Sequence, residues 1–220
     1  GTAGFGSKLL TSSGEDSAFV MHVTAMGAID WAVEIGSDGW VRGNALVPDG
    51  VGGALVMGAF QGTMVLEQNS LVEGITDHTR LDEDLTCGGH SCPLLLRVSS
   101  AGELKWAVQT PFGSCNSDDG TAIVSDGRGG ALVTCRSKRD MQQIQTKVGA
   151  IVVHSTSDGT IMWSKTAQVI RVAHGWVEST GLVPDGEGGA LVTGIFQGTA
   201  GFGSKLLTSS GEDSAFVMHV

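Results

Sequence analysis

The sequence predicts an all-β fold made of four-stranded antiparallel sheets, each formed by two β-hairpins. The chain has 220 residues, and its 34 Gly against 4 Pro are typical of many tight turns. Short apolar runs flank Gly-containing turns, and no 3.6-residue periodicity continues across them. The same two hairpin patterns recur three times, so the sequence indicates a repeat.

The two ends of the chain carry the same sequence. Residues 1–23 and residues 198–220 both read GTAGFGSKLLTSSGEDSAFVMHV, an offset of 197 residues. Identity at every position, exposed Ser, Thr and Lys included, indicates a copied segment. We therefore interpret the chain as one period of a tandem array, followed by the first strand of the next period.

Each period is expected to hold three four-stranded units plus one extra strand. The predicted boundaries are residues 1–62 for the first unit with its leading linker, 63–138 for the second, 139–197 for the third, and 198–220 for the first strand of the next repeat. The four strands of the first unit are predicted near residues 17–23, 28–35, 43–48 and 53–60. Residues 64–92 of the second unit are acidic and polar, and we expect a surface loop there.

One hairpin pattern surrounds a D-G-x-G-G turn. It reads ALVPDGVGGALVMGAFQGT, AIVSDGRGGALVTCRSK and GLVPDGEGGALVTGIFQGT, and the turns begin at Asp49, Asp126 and Asp185. Asp can hydrogen-bond the backbone ahead of it and Gly supplies a positive φ, so these residues are predicted to be structural. The alternative is a calcium loop, but each turn has one carboxylate where calcium needs several oxygen ligands.

The other hairpin pattern ends in tryptophan. Its frame, x-x-[ST]-x-x-G-x-[IL]-x-W, places Trp31, Trp106 and Trp163 at one position of each unit. A large ring at a fixed repeat position is typical of a core between neighbouring sheets, so we predict that all three are buried. Four antiparallel strands recurring in this way favour propeller blades.

The four cysteines are predicted to form disulfides in a secreted protein. The sequence allows three pairings, of which we favour Cys87–Cys92, within one insertion, and Cys115–Cys135, flanking one predicted hairpin. A metal site on Cys87, His90 and Cys92, with His78 as a further candidate ligand, is the alternative, but it lacks a second CxxC-type half.

The stretch FQGTAGFGSKLLTSSGEDSAFVMHVTAMGAIDWAVEIG, with LVPDGVGGALVMGAFQG, resembles the bacterial-type β-propeller repeat called SBBP. That pattern places G-T-x-x-F-G before a D-x-F-V strand, a G-x-x-x-W strand and a D-x-x-G-x-x-x-V-T-G hairpin. The second unit departs from it, because RSKRDMQQIQT replaces the linker and Cys135 stands where Gly58 and Gly194 are found. The resemblance implies a propeller fold of extracellular and cell-surface proteins and no shared catalytic residues.

Two other sets of residues recur. Trp40 and Trp176 each lie nine residues before a D-G-x-G-G turn, where they would either pack on the blade edge or stack on sugars. His22, Arg97 and His154 share a position before the second strand of their hairpins, and they are interpreted as solvated strand ends or a channel lining. His219 repeats His22.

The net charge and the sequence motifs disfavour several classes of function. The net charge of −10 disfavours a nucleic-acid partner, and no apolar run is long enough for a membrane span. No catalytic constellation, cofactor motif or metal motif is convincing, so we expect no enzyme, no cofactor and no metal. GTAGFG is discounted as a dinucleotide motif because it lacks a strand-to-helix context.

The sequence therefore favours a structural repeat unit of an extracellular or cell-surface filament, with neighbouring copies of the same repeat as partners. In that filament, residues 214–220 are expected to lie as a first blade strand against the second strand of the following unit. The alternative is a multivalent module that binds carbohydrate or protein, with Trp40 and Trp176 holding glycans.

Overall fold

The computed structural model describes residues 1–64, 84–110, 115–137, 147–169 and 175–220. All regular secondary-structure elements within these residues are β-strands, so the prediction of an all-β fold is confirmed. The strands are β1 (Thr2–Phe5), β2 (Lys8–Thr11), β3 (Ala18–Val23), β4 (Ile29–Ile35), β5 (Val41–Pro48), β6 (Ala54–Met64), β7 (Leu85–Val98), β8 (Leu104–Gln109), β9 (Cys115–Ser125), β10 (Ala131–Ser137), β11 (Lys147–Ser155), β12 (Ile161–Val169), β13 (Trp176–Pro184), β14 (Ala190–Gln197), β15 (Thr199–Phe202), β16 (Lys205–Thr208) and β17 (Ser214–His219).

The described strands form several small antiparallel sheets. Strands β1 and β2 make one hairpin, and β3 and β4 make another. Strands β5 to β8 form a four-stranded sheet in chain order. A six-stranded sheet has the order β16-β15-β12-β11-β10-β9, and a three-stranded sheet has the order β13-β14-β17.

The grouping of hairpins into sheets corrects the predicted units. The first unit was expected to join β3, β4, β5 and β6, but β6 pairs instead with β7, so the sheet crosses the boundary predicted at residue 62. Likewise β10 pairs with β11 across the boundary predicted at residue 138. The four-stranded sheet and strands β9 to β12 of the six-stranded sheet therefore each begin with a D-G-x-G-G hairpin and continue with the tryptophan hairpin that follows it in the chain.

The last strand also occupies a different place from the predicted one. Residues 214–220 were expected to be a first blade strand without a partner in this unit, but β17 pairs along its length with β14 and is the third strand of its sheet. Strand β17 pairs with β14 in the same register in which β7 pairs with β6. Val192 is the counterpart of Val56, and Val192 lies opposite Met218 just as Val56 lies opposite Leu96.

Hydrophobic cores lie between consecutive sheets. Strand β9 packs against β5, β6 and β7, and β13 packs against β9, β10 and β11. Pairs of residues from the three cores are, in the order of the sheets, Val20 with Val56, Leu55 with Val133, and Val152 with Val192. Each of these three cores in the described residues is therefore formed by apolar side chains from two sheets.

The second part of the predicted surface loop is strand. Leu85 begins β7, which pairs with the end of β6, so only residues 65–83 of the predicted insertion lie outside the described residues. Cys87 and Cys92 are joined by a disulfide with an S–S distance of 2.08 Å. Cys92 lies opposite Phe60 and Cys87 opposite Gly62, so residues 88–91 form a bulge in β7. The disulfide joins the two residues that flank this bulge.

The second predicted disulfide stays a prediction. The side chains of Cys115 and Cys135 lie outside the described part of the structure. In the backbone register of β9 and β10, Cys115 lies opposite Ser137 and Cys135 lies opposite Gly120.

Replacing Cys87 and Cys92 together by Ser should lower the free energy of unfolding by about 2 kcal/mol, the entropy that a short covalent loop removes from the unfolded chain. Urea denaturation measures this difference. Non-reducing peptide mapping of the unaltered chain should recover a Cys87–Cys92 peptide, and alkylation of both thiols without reductant would contradict the assignment.

Candidate functional site

Each D-G-x-G-G turn is held by its aspartate. The Oδ1 atom of Asp49 accepts hydrogen bonds from the N–H groups of Val51 (2.9 Å) and Gly53 (2.7 Å). Asp126 and Asp185 accept the same two bonds, from Arg128 and Gly130 at 2.7 and 2.9 Å and from Glu187 and Gly189 at 2.7 and 2.9 Å. The aspartate thus replaces backbone partners that a tight turn cannot provide.

The second oxygen of each aspartate reaches the third strand of the same sheet. Asp49 Oδ2 accepts a hydrogen bond from Nε of Arg97 at 2.8 Å. The matching pairs are Asp126 Oδ2 with His154 Nε2 at 3.2 Å and Asp185 Oδ2 with His219 Nε2 at 2.7 Å. The recurring Arg or His side chain therefore ties the D-G-x-G-G turn of a sheet to the third strand of that sheet.

These contacts lower the pKa values of two of the aspartates. Burial raises the pKa of Asp49, but the N–H groups of Val51 and Gly53 and the Arg97 guanidinium outweigh burial, so its pKa lies below the usual value. At Asp185 the His219 hydrogen bond, with the N–H groups of Glu187 and Gly189, lowers the pKa to about 2. Both aspartates are therefore ionised at neutral pH.

His22 has the sequence position of His219 and different surroundings. Its Nδ1 atom lies 3.3 Å from Oδ2 of Asp30, and both side chains are more than half exposed. The difference arises because β17 lies beside β14, which follows the Asp185 turn, whereas β3 pairs with β4 in a separate hairpin.

Tryptophan makes a recurring contact between consecutive sheets. Trp106 on β8 donates its Nε1–H to the carbonyl oxygen of Ser157 at 2.7 Å, in the turn between β11 and β12. The ring lies over Gly159 of that turn, where an added Cβ would be 2.9 Å from the indole. Only glycine leaves room for the ring, and its φ of +83° suits the turn.

Trp31 makes the same contact one sheet earlier. Its Nε1–H donates to Ser100 at 2.8 Å, and a Cβ added to Gly102 would be 2.8 Å from the ring. Trp106 is buried, whereas Trp31 and Trp163 are half-buried, which corrects the expectation of full burial at all three positions. Trp31 is less covered because β4 belongs to a two-stranded hairpin.

Trp40 directly precedes β5 and Trp176 is the first residue of β13, and both side chains are half-buried. The Arg42 guanidinium lies 5.1 Å from the centre of the Trp40 ring, so one face of this indole is already in contact with a cation. Nothing in the structure tests sugar binding here, and that role stays a prediction.

The alternative metal site has lost two of its ligands. Cys87 and Cys92 share a disulfide, which removes the thiolates that a metal would need, and the side chain of His90 lies outside the described part of the structure. Among the described residues, no group of three or more His, Cys, Asp or Glu side chains could hold a metal ion.

Comparison of the chain with protein-family models and with curated proteins finds no match. Within the described ranges, no helix has the length and apolar character needed to cross a membrane.

The partners in these contacts were not predicted from the sequence. The sequence shows that His or Arg recurs on the third strand and that Asp recurs at the turn, but it does not show that the two side chains are hydrogen-bonded. The first residue and the glycine of each tryptophan-hairpin turn, such as Thr156 and Gly159, also recur in the sequence, whereas the second residue, whose carbonyl accepts the indole N–H at Ser157, is Ala25 in another turn. Their role is visible only when two sheets pack together.

Acid should weaken the Asp185 turn over a defined pH window. Because the folded-state pKa is about 2 and the reference value is 3.8, the stabilisation from this carboxylate is complete above about pH 4 and is lost as the pH falls to about 2. Urea denaturation across this pH range should show that the free energy of unfolding falls less for Asp185→Asn than for the unaltered chain. Identical pH profiles would contradict the role of this carboxylate.

Trp106→Ala should lower the free energy of unfolding by about 3–5 kcal/mol, because it removes a buried aromatic ring and leaves the Ser157 carbonyl without its donor. Trp40→Ala is the matched comparison and should cost less, since its ring is half-buried. Thermal melts of both variants test this ranking, and a greater loss for Trp40→Ala would overturn it.

Proposed function

We propose that this chain is a structural repeat unit of an extracellular or cell-surface fibre, in which propeller-type units follow one another and successive repeats are joined by strand pairing. The 23-residue segment found at residues 1–23 and 198–220 is the element that two consecutive units share. The partners are further copies of the repeat, and the proposal includes no catalytic role.

The two copies of the segment have the same internal structure. Phe5 and Phe19 lie with ring centres 4.6 Å apart and planes at 44°, and Phe202 and Phe216 repeat both values. The hairpin threonines also repeat their contact, at 3.1 Å in the first copy and 3.0 Å in the second. The copies therefore differ in their surroundings rather than in their own conformation.

The observation that carries the proposal is that the two copies bury opposite faces of one strand. Phe216 on β17 is 3% exposed, whereas its counterpart Phe19 on β3 is 51% exposed. Val20 on β3 is 5% exposed, whereas its counterpart Val217 is 74% exposed. A single strand that received both sets of contacts would be covered on both faces, as expected for one segment shared between two units.

The edges of the two strands support the same interpretation. In the four-stranded sheet, β7 pairs with β6 on one side and with β8 on the other. Strand β17 pairs with β14, the counterpart of β6, and β3 pairs with β4, the counterpart of β8. Placing β4 of a following copy beside β17 would complete a four-stranded sheet with the register already present.

Exposed apolar residues extend both surfaces. We call Val183, Leu191 and Val217 the trailing face and Phe19, Val23 and Leu46 the leading face. Leu191 is 44% exposed, but its counterpart Leu55 in the four-stranded sheet is 0% exposed. Leu46 is 55% exposed, but its counterpart Leu182 is 7% exposed. Each face thus has an internal counterpart that is covered by a neighbouring sheet.

The extracellular setting rests on the Cys87–Cys92 disulfide. Disulfides persist in oxidising compartments and are rare in the cytosol, so a disulfide-bonded β protein is compatible with an extracellular location.

The fibre proposal requires head-to-tail association of the 220-residue chain. Sedimentation velocity at rising concentration should show a series of oligomers, and electron microscopy should show linear particles. Each joint between separate chains releases one of the two identical segments, because either copy can fill the third position of the sheet. A chain that stays monomeric at every concentration would contradict the proposal.

Variants of the two faces test the direction of assembly. Leu191→Asp charges the trailing face and Leu46→Asp charges the leading face, so each variant alone should stay monomeric. An equimolar mixture should form a dimer that does not grow, because it retains one intact face of each kind. Leu206→Asp is the control: Leu206 is 62% exposed and its counterpart Leu9 is 75% exposed, so the control should assemble normally.

A further inference from the structure

We infer that Trp163 of one copy closes the joint by packing on the turn at residues 24–27 of the following copy and donating its Nε1–H to the carbonyl oxygen of Ala25. This inference rests on the proposed head-to-tail function and names the contact that fixes the geometry of the joint. The partner is a second copy of this chain.

Two tryptophan contacts inside the chain are the templates. Trp31 on β4 and Trp106 on β8 each donate to the second residue of the turn in the next sheet, Ser100 at 2.8 Å and Ser157 at 2.7 Å. Trp163 has the same place on β12, since it lies opposite His154 as Trp106 lies opposite Arg97. The next sheet is the three-stranded one, and its third strand is β17.

The turn at residues 24–27 already has the geometry of the two covered turns. Gly27 has a φ of +79°, against +81° and +83° at Gly102 and Gly159. In each turn the glycine N–H donates to the first residue, from Gly27 to Thr24 at 2.9 Å, from Gly102 to Ser99 at 3.0 Å and from Gly159 to Thr156 at 3.0 Å. Ala25 therefore takes the position of Ser100 and Ser157.

The surroundings of Gly27 differ from those of its counterparts. A Cβ built on Gly27 meets no atom within 4 Å, whereas one built on Gly102 would lie 2.8 Å from Trp31. Met26, beside it, is 93% exposed. The turn has the shape that receives an indole ring and is uncovered in the single chain.

The order of residues places this turn beside Trp163. Trp163, Met218 and Val220 pack against the same core. In the repeated segment, Val23 is the counterpart of Val220 and is followed directly by Thr24. When a following copy supplies its segment to the three-stranded sheet, residues 24–27 emerge next to the Trp163 ring.

Sedimentation velocity of the full chain tests the contact with two variants and a control. Gly27→Asn keeps a residue that tolerates positive φ but places a Cβ where the indole should lie, and it should weaken association about tenfold. Trp163→Ala should weaken association about as much. Gly127→Asn is the control, since Gly127 has a φ of +76° and open space around its Cβ but lies away from both faces, and it should change association less than twofold.

The double variant makes the test specific to one contact. Gly27→Asn combined with Trp163→Ala should weaken association no more than either change alone, because both remove the same interaction. A loss near a hundredfold, or normal association of Gly27→Asn, would overturn the inference while leaving head-to-tail assembly in place. Failure of the unaltered chain to associate would overturn both. Melting temperatures of each monomer identify any effect on folding.

Discussion

The structure depends on covering both faces of each strand between consecutive sheets. A sheet that packs on one neighbour alone leaves its other face in water, and this chain shows that state at each end of the repeat. Phe19 and Leu46 are exposed on one side, and Val217 and Leu191 on the other, while their internal counterparts are buried. In the proposed fibre, burial of these faces would provide the driving force for assembly, because each added unit would cover one face and present another.

Local polar contacts decide how the sheets can meet. Each aspartate turn is fixed to the third strand of its own sheet by Arg97, His154 or His219, so the turn and that strand keep one relative position. The indoles of Trp31 and Trp106 then connect that sheet to the next through one hydrogen bond and one glycine. Apolar burial supplies most of the attraction, whereas these directional contacts select one arrangement among those that would bury a similar area.

The hairpins could be predicted because their signals are local: Asp and Gly at fixed positions define the turn, and short apolar runs define the strands. The assignment of hairpins to sheets failed because a run of alternating hairpins has no intrinsic starting point. Strands β6 and β7 pair although residues 65–84 separate them in the chain. No local sequence pattern encodes this pairing or the packing between sheets. For the same reason, residues 214–220 were expected to be a first strand although β17 is a third strand. The Trp positions were visible, but the carbonyl oxygens that accept their indole N–H groups, at Ser157 and Ser100, lie 51 and 69 residues away in the chain.

In the proposed fibre, the repeated 23-residue segment is one element shared by two units. Electron cryomicroscopy of the assembled chain would show whether this is so. We expect every joint to contain one ordered copy of the segment in a four-stranded sheet, made of β13, β14, the segment and β4 of the following copy. Joints in which three-stranded sheets keep an unpaired edge at β17, or in which both copies of the segment stay in place between separate units, would contradict it.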